Sequence, residues 1–172
     1  MLKAAGILLI IFSGTGLGFC KSLELTRREQ ALEEFLRMVI LLKGEIRYGC
    51  ASLYDAFTGA AGKMSGEYRE FLLDTAKSMA DREGRPFGEI FRESAKKHFG
   101  RVGFLPEEQE VLFSLGEHLG YLDLEMQVKQ LTLCEEELER RIASLRQEMP
   151  QKKKVYQSLG VLGGILLAVL VW

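Results

Sequence analysis

The sequence predicts an all-α protein: an antiparallel bundle of about six helices, the first and last continuing into N- and C-terminal transmembrane helices. Three observations predict it. In the middle of the chain apolar residues recur at steps of three and four, and nothing sustains the period of two that a half-buried strand needs. Charge is confined to that middle: all Lys and Arg except Lys3 fall between Lys21 and Lys154, and every Asp and Glu between Glu24 and Glu148. The two ends, "AAGILLIIFSGTGLGFC" (Ala4 to Cys20) and "SLGVLGGILLAVLVW" (Ser158 to Trp172), carry no charge. They approach the roughly 20 residues that a spanning helix requires. The expected organisation is a span over 1–20, a helical domain over 21–153 and a second span over 154–172.

At the N-terminus three readings compete: a cleaved secretory signal led by Lys3, a lipoprotein signal ending at Cys20, and an uncleaved anchor. Phe19 is too bulky for the position before a lipidated cysteine. Lys21, Arg27 and Arg28 follow the first span and Lys152, Lys153 and Lys154 precede the second, so the positive-inside rule places the middle in the cytoplasm and both termini outside. The uncleaved anchor is therefore the expectation. Gly14 with Gly18, and Gly160 with Gly164, have the GxxxG spacing that lets membrane helices approach closely.

The first cytoplasmic helix carries Leu32, Phe35, Leu36, Val39, Leu42 and Ile46 on one face and ends at Gly49. Ser52, with Asp55 three residues on, has the form of a capping box and opens a short second helix to Ala61. "GAAGKMSG" is a loop, and Ser65 or Gly66 opens the third helix, with Phe71, Leu72, Thr75, Ala76 and Met79 inward and an end near Gly84. Pro86 suits the first turn of the fourth helix, with Phe87, Ile90, Phe91 and Ala95 inward and Gly100 and Gly103 ending it. Pro106 starts the fifth, with Val111, Leu112, Leu115 and Leu119 inward and Gly120 at its C-terminus.

Asp123 is the expected N-cap of the sixth helix. Its stripe of Leu124, Val128, Leu131, Glu135, Leu138, Ile142, Leu145 and Met149 is a heptad with Glu135 the one polar intruder. Packing on the equally long first helix is the expectation, and Pro150 then breaks or kinks the helix.

Net charge of −1 excludes a global basic field for nucleic acid. Three cysteines (Cys20, Cys50, Cys134) without CxxC spacing argue against a disulfide framework or a zinc site, and His98 and His118 do not make a metal site. "FTGAAGKMS" fails as a phosphate loop: Phe57 holds the first glycine position and Met64 follows Lys63 where Ser or Thr is required. "GTGLGF" lacks the third glycine of the dinucleotide fingerprint. Glu107, Glu108 and Glu110, and Glu135, Glu136, Glu137 and Glu139, scatter around helices and read as solvated faces. No cofactor, metal or catalytic residue is expected.

Three stretches together, "LKGEIRYGCASLYDAF" (Leu42 to Phe57), "LGEHLGYLDLEMQVKQL" (Leu115 to Leu131) and "KKVYQSLGVLGGILLAVL" (Lys153 to Leu170), resemble the signature blocks of the stage III sporulation protein AB family. That family in turn is similar to the F domain of type II secretion and type IV pilus platform proteins. The resemblance implies a non-enzymatic platform or adaptor in the channel between mother cell and forespore. It would lie in the mother-cell membrane facing the forespore. Its implied partners are the companion secretion-type ATPase, stage III sporulation protein AA, and the membrane channel subunits of the same operon. Glu45, Ile46, Tyr48, Gly49 and Leu53 fall in the first block, and Glu117, Leu119, Gly120, Asp123 and Gln127 in the second. Ser52 replaces the family's usual proline, and a serine also caps a helix.

Glu45, Arg47, Tyr48, Glu117 and Gln127 are the candidates for contact with the partner, and Gly49, Ser52, Gly120 and Asp123 are hinges and caps. The rival reading is a self-associating membrane scaffold in which the heptad of the sixth helix, around Leu138 and Ile142, pairs between chains. A third class, an extracytoplasmic enzyme released from a signal peptide, requires cleavage after the first span.

Overall fold

The computed structural model describes the backbone of residues 2–49, 52–81, 84–100, 102–120 and 123–171. Within the terminal helices, the side chains of residues 2–15, 17, 164, 165 and 167–171 fall outside that description, as does Cys50. Six helices form, in chain order: α1 (Leu2–Gly49), α2 (Leu53–Ala61), α3 (Gly66–Ala80), α4 (Phe87–Phe99), α5 (Pro106–Leu119) and α6 (Leu124–Val171). No strand occurs among the described residues.

The chain divides into two compact units, one of Met1–Glu29 with Ala143–Trp172 and one of Gln30–Ile142. In the first, α1 and α6 run antiparallel. Arg146 Nε donates to Glu29 Oε1 at 2.7 Å, and at Gly18 an added Cβ would come within 2.6 Å of the Tyr156 carbonyl oxygen. The missing side chain at Gly18 lets these backbones approach closely. Phe19, Leu23, Val155, Leu159, Leu162 and Leu166 are left exposed. Gly14 and Gly164 lie outside the described side chains.

Among the described residues no helix is long and apolar enough to cross a membrane. Most of the first expected span, and the last part of the second, falls outside the described side chains. The described remainder of α1 and α6 carries the chain's charged stretches.

The second unit holds the core. Leu32, Phe35, Met38, Val39, Leu42 and Ile46 of α1 are buried, as the helical stripe requires, and Leu131, Leu138 and Ile142 of α6 are buried with them. The heptad seam is thus filled inside one chain, which leaves Leu138 and Ile142 unavailable for pairing between chains. Glu135, the polar intruder in that seam, forms an ion pair with Lys43 of α1.

Between the long helices an aromatic chain links the short ones: Phe87 to Phe57 (5.6 Å between ring centres), Phe71 to Phe91 (5.1 Å), Phe71 to Phe99 (4.9 Å) and Phe35 to Phe104 (6.0 Å). Such ring pairs add to the roughly 1.5–3 kcal/mol that burying each large apolar side chain contributes. Tyr68 fits among them because its hydroxyl donates to the Ala31 carbonyl at 2.6 Å, and burial pushes its pKa up. Thr75, fully buried, donates to the Phe71 carbonyl at 2.8 Å.

Several expectations are corrected. α6 runs through Pro150 without a break. Loss of one backbone donor does not end a helix held on both sides by continuing turns. α3 stops at Ala80, a few residues before Gly84, with Asp81 as its C-cap donating its amide to the Lys77 carbonyl. Pro86 precedes the first turn of α4 and does not sit within it. Leu124 is exposed: with Lys43 opposite Glu135, α1 ends before the first residues of α6 begin. Glu108, read as part of a solvated face, is fully buried, and its Oε2 accepts from the Leu105 amide at 2.7 Å at the start of α5. Gly120 lies in the right-handed region (φ −76), so its role is not the left-handed cap. An added Cβ there would meet Phe87 Cβ at 2.7 Å. Close approach, not conformation, calls for glycine.

Candidate docking surface

The first two of the three signature blocks meet at one end of the second unit, and a chain of short contacts shows how. Ser52 caps α2: its Oγ accepts from the Asp55 amide at 3.2 Å and donates to Asp55 Oδ2 at 2.7 Å. This turns the chain back at Gly49, so that Gly59 of α2 packs on Glu45 of α1, where an added Cβ would meet the carboxylate at 2.9 Å. Phe57 of α2 then touches Phe87 of α4. Phe87 packs on Gly120, and Gly88 on Glu117, at the end of α5. Asp123 Oδ1 accepts from the Met126 amide at 2.9 Å and starts α6, while Gln127 Nε2 donates to the Leu119 carbonyl at 2.8 Å. The end of α1, the start of α4 and the α5–α6 corner are thereby fixed together.

The candidate residues divide by what they touch. Glu45 is half-buried and accepts from Lys63 Nζ at 2.6 Å, tying the loop after α2 to α1. This also engages the lysine of the phosphate-loop lookalike. Gln127 serves the α5–α6 corner. Glu117 is exposed but paired with Arg92 at 2.7 Å, and Arg92 lies 4.9 Å over the Phe113 ring. These three brace the surface.

Arg47 and Tyr48 are different. Both are exposed, Tyr48 at 80%, and the Arg47 guanidinium stands 5.5 Å over the tyrosine ring. Tyr54, Leu124 and Met126 at the same end are also exposed. Tyr54 lies within the first block, and its aromatic character was the signal available for it. Leu124 was hidden by its place in the heptad. A cleft of ≈ 360 Å³ lined by Pro86, Gly88, Glu89, Arg92 and Glu117 opens nearby. Exposed Tyr and Arg with apolar neighbours is the composition of a binding patch.

Elsewhere, Asp74 of α3 accepts from Lys97 (2.9 Å) and lies 3.2 Å from His98 Nε2 on α4. The Lys97 hydrogen bond, followed by that of His98, holds the Asp74 carboxyl below its ordinary range. Burial pushes the Cys134 thiol up to about 12. No group of His, Cys, Asp and Glu among the described residues could hold a metal ion.

The described residues are all-helical, and the first two signature blocks share one end of the second unit. The family model described as stage III sporulation protein AB matches residues 3–172, and the chain belongs to that family. Its role is therefore in sporulation. No curated protein and no solved structure matches the chain.

Proposed function

We propose that this protein is a non-enzymatic membrane platform of the sporulation channel, docking the companion secretion-type ATPase to the membrane complex through the surface around Arg47 and Tyr48. The observation that carries the reading is the convergence of the two signature blocks on one end, where Tyr48 is left 80% exposed with Arg47 over its ring. Tyrosine and arginine exposed without a structural task are the residue types on which binding energy concentrates. The supporting residues Glu45, Glu117 and Gln127 hold the corner rigid, which lowers the ordering cost of binding.

The terminal helices anchor the platform in the bilayer. Support for this comes from the exposed Val155, Leu159, Leu162 and Leu166, the lysines at 152–154, and the close passage of α1 and α6 at Gly18. The side facing the ATPase is then the cytoplasm of the mother cell.

The test is titration of the companion ATPase with the full chain in lipid nanodiscs, reading binding and ATP turnover. Tyr48→Ala and Arg47→Glu are each expected to weaken binding by about tenfold or more. Exposed Glu139→Ala should leave it unchanged. Absence of binding by the wild type, or equal binding by all variants, contradicts the reading.

A further inference from the structure

Two surfaces of the second unit each set an exposed leucine beside charge, acidic along the α5 rim of the first and basic at both neighbours in the row of the second. The first is a groove of ≈ 530 Å³ between α5 and α6, whose lining includes Val111, Leu115 and Leu133. Leu133 is 49% exposed there. Glu107 and Glu110 form the α5 rim. The Glu107 side chain is 79% exposed and reaches only to 3.8 Å from Arg141, and Glu110 has no ion pair among the described residues.

The second surface is a ridge on α3. Arg69, Leu73 and Lys77 follow at steps of four and stand in one row. All three are exposed, and neither cation has an ion pair among the described residues. Exposed Ser65 and Asp81 are the next members of the row at its two ends, so its cationic part is Arg69 to Lys77. α3 and α5 both pack on α4, which separates them, so a chain cannot seat its own ridge in its own groove.

We propose that the α3 ridge of one copy seats in the α5–α6 groove of a second copy, with Leu73 against Leu133 and Leu115, and the ridge cations beside the rim carboxylates. The contact joins two different surfaces. Each added copy therefore presents a fresh ridge or groove, and assembly runs on to a ring or filament instead of stopping at a dimer. Charge complementarity sets the register, and desolvating the two leucines supplies the attraction. The contact uses none of the residues of the α1–α2 corner, so it stands or falls apart from ATPase docking.

The test is sedimentation of the full chain in detergent micelles as its concentration rises. The wild type is expected to grow past the dimer. Leu73→Glu and Leu133→Glu, each made alone, should stay monomeric, with association weakened about tenfold or more. An equal mixture of the two should form dimers and stop, because it holds one intact ridge and one intact groove. Circular dichroism checks that each variant is folded. If either is not, Leu73→Gln and Leu133→Gln, which keep every charge, replace them with the same expectations. A monomeric wild type, variants that assemble like the wild type, or a mixture that stays monomeric overturns the proposal.

Discussion

Gly116 sits so close to Phe91 that an added methyl would lie 2.2 Å from Cδ1 of a fully buried ring. Gly116→Ala is therefore expected to lower stability by about 1–3 kcal/mol, as overpacking of a filled core does, read as a shift in the urea midpoint. Asp74 gives a pH signature. Its folded pKa is depressed by Lys97 and then His98, so its stabilisation is present above the ordinary aspartate value and fades as pH falls through the folded one. The pair is partly exposed, so Asp74→Asn should cost less than about 1 kcal/mol at neutral pH. That cost should vanish once the pH falls below the lowered folded value; a constant difference down to acid would contradict this. Cys134, with its thiol held up to about 12, should resist maleimide in the folded chain while exposed Cys20 reacts. At this scale the sequence was readable where the chemistry is local. Ser52 and Asp123 bond to amides three residues away, and nothing distant is needed to recognise them. Gly120 and Glu108 were not readable, because Phe87 and a buried environment come from other parts of the fold.

Helices show the same division. Stripes at steps of three and four named most of the core, since a helix buries whichever face its apolar residues share. Glu135 broke the stripe on α6, and its explanation, Lys43, lies on α1. Both side chains are about one-fifth exposed. Removing one leaves a half-buried charge, so Lys43→Ala should destabilise by about 1–3 kcal/mol. Lys43→Met with Glu135→Leu should recover most of the loss in thermal unfolding, because the apolar pair completes the seam. Loss in the double variant equal to or above that in the single would count against the pair as the reason. Helix ends were less legible than helix faces: α6 passes through its proline, as neighbouring turns outweigh a single-residue preference.

On the scale of the whole molecule, the helices α2 to α5 fold back between two long ones, and the family blocks at residues 42–57 and 115–131 are brought to one end by that topology. Which candidate residues are braces and which are free could not be read from the blocks. Glu45 and Gln127 look like surface residues in the sequence, yet each is engaged by a partner in the fold. Tyr48 and Arg47 remain, and the account rests on them. The most direct measurement places a photo-crosslinking amino acid at Tyr48 in the full chain, in membranes that also contain the companion ATPase. A second copy of the probe at exposed Gln147 serves as control. The account predicts an ATPase adduct from position 48 and none from 147. Adducts from 147 alone, or from neither while the ATPase is bound, would contradict it.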